Sequence, residues 1–151
     1  MPEALQFTIA TDQPRYRTDE PIRLQLRLTN RGQAPVVINA RLGLAPSGRS
    51  GEVWLDVDGP AQSSALIVNV NIGPPRPANF TTLAPGAAVE KEYELRTYYQ
   101  LAEPGDYTLR GTYHNKWSGE EIIGQTAWTG QVESAPITVH IDAAGQESTS
   151  P

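Results

Sequence analysis

The sequence has no cysteine, one methionine and two histidines among 151 residues. The missing cysteine excludes disulfides, thiolate catalysis and cysteine-built metal sites. No apolar run approaches the roughly 20 residues that a membrane-crossing helix needs, so no membrane insertion is expected. The N-terminus, MPEALQFTIATDQ, lacks a basic start followed by an apolar segment, and no signal peptide is read there. With Met1 as the native start this places the protein in the cytoplasm; as a trimmed chain it fits a mature exported domain. Positive charge is also scarce, with 12 Lys and Arg against 17 Asp and Glu and a net charge of −5. A nucleic-acid binder usually carries a basic stripe, so no nucleic acid is expected as a partner. Finally, no segment sustains the 3.6-residue period of an amphipathic helix.

What is abundant is turn chemistry and alternation. Gly and Pro number 13 each, which favours many turns over long helices. In PIRLQLRLTN, Ile22, Leu24, Leu26 and Leu28 share one face, while Arg23, Gln25, Arg27 and Thr29 share the other. That is a strand with one side in a core and one in water. The same period places Leu5, Phe7 and Ile9 inward, then Val53, Leu55 and Val57, then Tyr93 and Leu95, and at the end Ile137, Val139 and Ile141. PVVINARL and ALIVNVNI are further strand candidates, the latter an edge through which a weak dimer could form; otherwise a monomer is expected. Between the strands lie NRGQAP, APSGRSG, DGPAQSS, GPPRPANFTT, LAPGA and EPGD, the Pro-rich GPPRPANFTT reading as an extended loop. Short strands separated by regular turns predict an all-β sandwich. It forms one domain over 1–142, followed by a disordered polar tail over 143–151.

Charge patterning fits one strand pairing. Arg23 and Arg27 line the outer face of one strand, and Glu90, Glu92 and Glu94 line that of another. If the two strands are neighbours, each stripe accounts for the other with no ligand.

In TDQPRYRTDEPIRLQLRLTNRGQAPVVI the residues Pro14, Tyr16, Glu20, Ile22 and Asn30 resemble the opening of bacterial immunoglobulin-like modules, including macroglobulin-type repeats and intracellular proteinase inhibitors. Thr18-Asp19 stands where such modules usually carry Pro-Gly. LAPGA, EPGDYTL and AWTGQVESAPITVHI are similar to the second half of such modules. The resemblance implies an immunoglobulin-like antiparallel β-sandwich of about seven to nine strands, in the convention that letters them A to G. In that fold a tyrosine at the start of strand F ties the preceding corner to the sheet. Tyr107, directly after Pro104-Gly105-Asp106, has that place. Leu109, Gly111 and Tyr113 then follow inward, with Thr108, Arg110 and Thr112 outward.

Reactive groups are few. His140 reads as a solvated outer-face residue of the last strand, and His114 ends strand F near Glu120 and Glu121 without a metal-ligand spacing. No nucleophile elbow, phosphate loop or dinucleotide pattern is present. The pairs Asp56/Asp58 and Glu120/Glu121 are ordinary surface carboxylates. Asp12, Asp19, Glu20 and Asp106 fall near turns without the spacing of a calcium loop. An enzyme, a metal and a cofactor are therefore not expected. What remains is apolar: NKWSGEEIIGQTAWTGQ, the F–G connection, carries Trp117, Ile122, Ile123 and Trp128. A packing role is expected of Trp128. Trp117, Ile122 and Ile123 are candidates for contact with another protein, unless a long hairpin folds them over the core. Trp54 points outward by parity, beside Asp56, and is a further contact candidate or an arginine-stacking residue. The alternative is a proteinase inhibitor presenting Arg76 between Pro75 and Pro77, where stiffness would lower the entropy cost of binding.

Overall fold

The computed structural model describes residues 5–44, 52–59, 75–99, 101 and 103–143. Ten strands lie in it: β1 (Leu5–Thr11), β2 (Arg15–Arg17), β3 (Arg23–Asn30), β4 (Val36–Asn39), β5 (Val53–Asp58), β6 (Phe80–Leu83), β7 (Ala88–Glu94), β8 (Gly105–Asn115), β9 (Gly130–Glu133) and β10 (Ile137–Asp142). A single α-helical turn, α1 (Glu120–Ile123), lies between β8 and β9. The protein is all-β, and the sheets are antiparallel except where β2 runs parallel to β10. One sheet has the order β1-β3-β7; a second has the order β2-β10-β8-β5, with β9 also on β8; β4 and β6 form a two-stranded ribbon.

Alternation produces the core as expected. Leu5, Phe7, Ile9, Ile22, Leu24, Leu26, Leu28, Val53, Leu55, Leu109, Val139 and Ile141 are all buried in one cluster shared by the sheets. Val57, Tyr93 and Ile137 are half-buried at its margin. Gly111 shows how close the sheets press. A Cβ there would lie 2.9 Å from the Phe7 ring and 3.0 Å from Ile9, so only glycine lets β1 settle onto β8.

The charge stripes meet. β3 pairs β7 with Arg27 opposite Glu90, Gln25 opposite Glu92 and Arg23 opposite Glu94. Arg27 is ion-paired with Glu90, and Arg23 reaches diagonally to Glu92 at 4.0 Å. Glu94 departs from the expectation, accepting instead from the Arg96 amide at 2.7 Å and the Ile22 amide at 3.2 Å. The tyrosine corner forms as expected. Tyr107 is fully buried, and its hydroxyl donates to the Glu103 carbonyl at 2.6 Å and accepts from the Glu103 amide at 3.1 Å. Asn30 closes β3 by donating to the carbonyls of Ala34 and Leu83, at 2.9 and 2.8 Å, and organises the turn that follows.

Several expectations need correction. The strand count exceeds nine, partly because the last strand is split. Ser134-Ala135-Pro136 interrupts it, and Ser134 bridges the break with its amide on the Gly111 carbonyl and its Oγ on the Gly111 amide. The Pro-rich segment is not an extended loop where it is described: Pro77–Asn79 makes a 3-10 turn, and Phe80–Leu83 is strand β6 on β4. Thr112 sits on the outer face yet is only 2% exposed, because Trp54 and Glu133 flank it on both neighbouring strands. The candidate edge strand ALIVNVNI and the 144–151 part of the tail lie outside the described residues.

Candidate functional site

The connection from Lys116 to Thr129 leaves β8 at its C-terminal end and returns to β9. It does not continue the two strands as a long hairpin. Gly119 and Gly124 take left-handed conformations, with φ of 88° and 71°, and so begin and end the single turn α1 between them. The Ala127 amide donates to the Ser118 carbonyl at 2.5 Å, which draws the two limbs together. Trp117, Ile122 and Ile123 are all half-buried, and the Lys116 ammonium lies 5.1 Å from the Trp117 ring centroid. Trp128 does what was expected of it: its ring stacks on Tyr113 at 5.7 Å, and its amide donates to the Val37 carbonyl of β4.

The base of the connection rests on buried polar side chains that sequence reasoning missed. Asn115 ends β8 and is 1% exposed. Its amide group donates to the Trp128 carbonyl at 2.7 Å and the Trp117 carbonyl at 2.9 Å, and its oxygen accepts from the Trp117 amide at 3.2 Å. Asn39, at the end of β4, lies behind it. Its Nδ2 is 3.4 Å from the Asn115 oxygen and 3.1 Å from the Glu52 carboxylate. Glu52 is 2% exposed and paired with Arg41 at 2.5 Å; it also accepts from the Gly43 amide at 2.8 Å. Tyr113 donates its hydroxyl to the Asn39 carbonyl at 2.8 Å. Burial, and then the Glu52 charge, push the Tyr113 hydroxyl above its ordinary pKa. Every buried polar side-chain atom among the described residues has a partner, as a framework that fixes one conformation requires.

Trp54 is half-buried on the outer face of β5, opposite Thr112, and its ring lies 5.7 Å from that of His114. Trp54 and Trp117 thus both lie toward the Asn115 end of β8. The Pro75, Arg76 and Pro77 segment leads into β6, whose Phe80 is opposite Asn39. Pro75 is buried, while Arg76 and Pro77 are exposed. The Arg76 amide donates to the Asn79 side chain at 2.7 Å, and the Asn79 carbonyl accepts from the Ala40 amide at 2.7 Å, which ties this turn to the end of β4.

His140 is not simply solvated. Its ring lies between two carboxylates, Nδ1 2.6 Å from Asp106 and Nε2 3.0 Å from Asp142. Arg15 of β2 donates to Asp142 at 2.8 Å and holds that carboxyl below the usual carboxylate range. The result is a charge ladder across β8, β10 and β2. The turn carboxylates considered for calcium are separately engaged: Asp12 accepts from the Tyr16 hydroxyl, Glu20 from the Arg17 amide at 2.8 Å, and Asp19 pairs with Arg17 at 3.4 Å. Asp12, Glu20, Glu92 and Glu94 border an open groove of about 450 Å³ with Arg23 and Tyr93. Among the described residues no three His, Asp or Glu side chains gather as a metal would require, and no helix is long and apolar enough to cross a membrane.

One signal in the sequence pointed to the missed residues. Asn30, Asn39 and Asn115 each close an apolar strand, although asparagine is disfavoured in strands and survives there when its side chain has backbone to bond. Glu52, which opens the strand candidate EVWLDVD with the parity of its outward residues, gave no such signal. No family model matches this chain, and no curated protein matches it.

Proposed function

We propose that the chain is an immunoglobulin-like sandwich that acts as a non-catalytic protein-binding or scaffolding module, making contact through the connection between β8 and β9. The fold part of this reading is supported by the division of strands. β1, β3 and β7 correspond to A, B and E, while β5, β8 and β10 correspond to C, F and G, with the tyrosine corner before F. The functional part rests on one observation. Trp117, Ile122 and Ile123 are left half-exposed on a connection whose two limbs are bonded to a single buried asparagine. Apolar side chains presented on a fixed backbone bind at a lower entropy cost than the same side chains on a loose loop. Trp54, toward the same end of β8, extends the surface.

The test is affinity capture from the native source, with wild type, Trp117→Ala and Arg76→Ala as parallel baits and folding of each checked by circular dichroism. The proposal expects a partner held by wild type and by Arg76→Ala and lost by Trp117→Ala. A partner lost only with Arg76→Ala, together with stoichiometric slowing of a serine protease, would replace the proposal by the inhibitor reading.

A further inference from the structure

We infer that the shape of the β8–β9 connection is set from outside it, by a buried relay running Arg41–Glu52–Asn39–Asn115, and that Glu52 is its positioning residue. The four side chains come from the β4–β5 side of the molecule and from the end of β8, and they form one continuous chain of bonds. Arg41 donates Nε and Nη2 to the Glu52 carboxylate, at 3.0 and 2.5 Å to its two oxygens. Glu52 accepts Asn39 Nδ2 at 3.1 Å, and that same nitrogen is 3.4 Å from Asn115 Oδ1. Asn115 then holds both limbs of the connection through Trp117 and Trp128.

The direction of control follows from what each group can accept and donate. A side-chain amide can present its oxygen either way round, so Asn39 and Asn115 do not by themselves fix their orientation. An ionised carboxylate only accepts. Glu52 therefore compels the nitrogen of Asn39 to face it, with both hydrogens of that nitrogen directed at acceptors. The oxygen of Asn39 is turned away, where it accepts from the Arg41 amide at 3.1 Å. The Asn115 oxygen faces Asn39, so its own nitrogen must face the carbonyls of Trp117 and Trp128. Glu52 at the outer end and the fixed backbone groups (the Arg41 and Trp117 amides and the Trp117 and Trp128 carbonyls) thus demand the same sense of both amides, and loss of the Glu52 acceptor removes that demand from the outer end. The connection's own bonds are local, those of the single turn α1, the Thr126 hydroxyl on Glu120 and the Ala127 amide on Ser118, and it is Asn115 that joins both limbs to the buried interior.

Glu52→Gln tests this with little change in volume. Wherever the new amide nitrogen points, it meets a donor: Arg41 and Asn39 on one side, or Gly43 and Arg41 on the other. Amide hydrogen exchange by NMR is read for Trp117, Ala127 and Trp128, and for β1 and β3 as reference. The matched control is Ile22→Val, a core change just before β3. At equal global stability, Glu52→Gln should speed exchange at the three connection amides by about tenfold or more relative to Ile22→Val. It should also change Trp117 fluorescence. Equal exchange in the two variants would overturn the inference. If Glu52→Gln does not fold, Arg41→Lys, which keeps the charge and loses the two-pronged grip, is read the same way against the same control. That the loosened connection then releases a partner rests on the binding reading above, whereas the loosening does not. Faster exchange with undiminished capture would leave the relay standing and remove the connection as the contact surface.

Discussion

The two ends of β8 are closed by different means. At Gly105 the closure is local: Tyr107 reaches back four residues to Glu103 and uses both the carbonyl and the amide of that one residue. At Asn115 the closure is remote: Asn39, Arg41 and Glu52 arrive from far along the chain, Tyr113 bonds the Asn39 carbonyl, and Trp128 stacks on Tyr113. The first end needs one side chain and a Pro-Gly turn. The second needs four side chains, Arg41, Glu52, Asn39 and Asn115, to agree in donor and acceptor sense. Damage should therefore stay small and confined at the first end and spread through several segments at the second.

The harshest treatment is alkali, which reaches the second end through Tyr113 and other parts of the fold through Tyr16, Tyr93 and Tyr99. Burial pushes the hydroxyls of Tyr16, Tyr93 and Tyr99 up to about 12, and that of Tyr113 still higher. The folded state holds these protons more tightly than the unfolded chain, whose tyrosines titrate near 10.0. Stability from this source is thus complete below pH 10 and is lost as pH rises through 12 and beyond. Circular dichroism and tyrosinate absorbance followed together should show unfolding coincident with a late ionisation. Full ionisation near 10 in a still-folded protein would contradict it.

Next comes Glu52→Ala, which strands Arg41, itself only 18% exposed in its side chain, and leaves Asn39 and the Gly43 amide without their acceptor. A loss of about 3 kcal/mol in urea unfolding is expected, as for other broken buried pairs. Tyr107→Phe should cost only about 1 kcal/mol, since the ring stays and a single hydroxyl is lost. Its effect on hydrogen exchange should be confined to the corner around Glu103. A loss equal to that of Glu52→Ala would erase the contrast between the two ends. The smallest effect belongs to neither end. Arg27→Glu places like charges opposite each other on β3 and β7, a surface pair, and should cost a few tenths to about 1 kcal/mol. That cost should shrink as salt is raised, because both side chains are about half exposed and screening reaches them.

Reading the sequence succeeded wherever the physics was local or periodic. Period-two alternation gave the longer strands and the part of the core they carry, because side chains on a pleated strand must alternate between faces, while Tyr16, Ile38, Leu42, Leu44, Leu83, Tyr99 and Leu101 joined that core from short strands and turns without such a pattern. The tyrosine corner was visible because its partner is four residues away, and the β3–β7 pairing because both stripes were long enough to need a complement. The same rules misjudged Thr112 and His140. Parity assigns a face but not the bulk of the neighbours on that face, and here Trp54, Glu133, Asp106 and Asp142 decide the exposure. The Phe80–Leu83 strand was hidden because four residues after a Pro-rich turn carry too little pattern, and only the presence of β4 beside them makes a ladder.

What the sequence determined alone is an all-β chain, its inward residues and its first corner. What tertiary structure alone decided is the polar end of β8. A buried carboxylate and two amides are stable only when turns far apart in the chain bring their donors and acceptors within about 3 Å of one another. No spacing along the chain encodes that meeting. Glu52 therefore looked like an outward residue at the start of a strand until the fold placed Arg41, Asn39 and Gly43 around it.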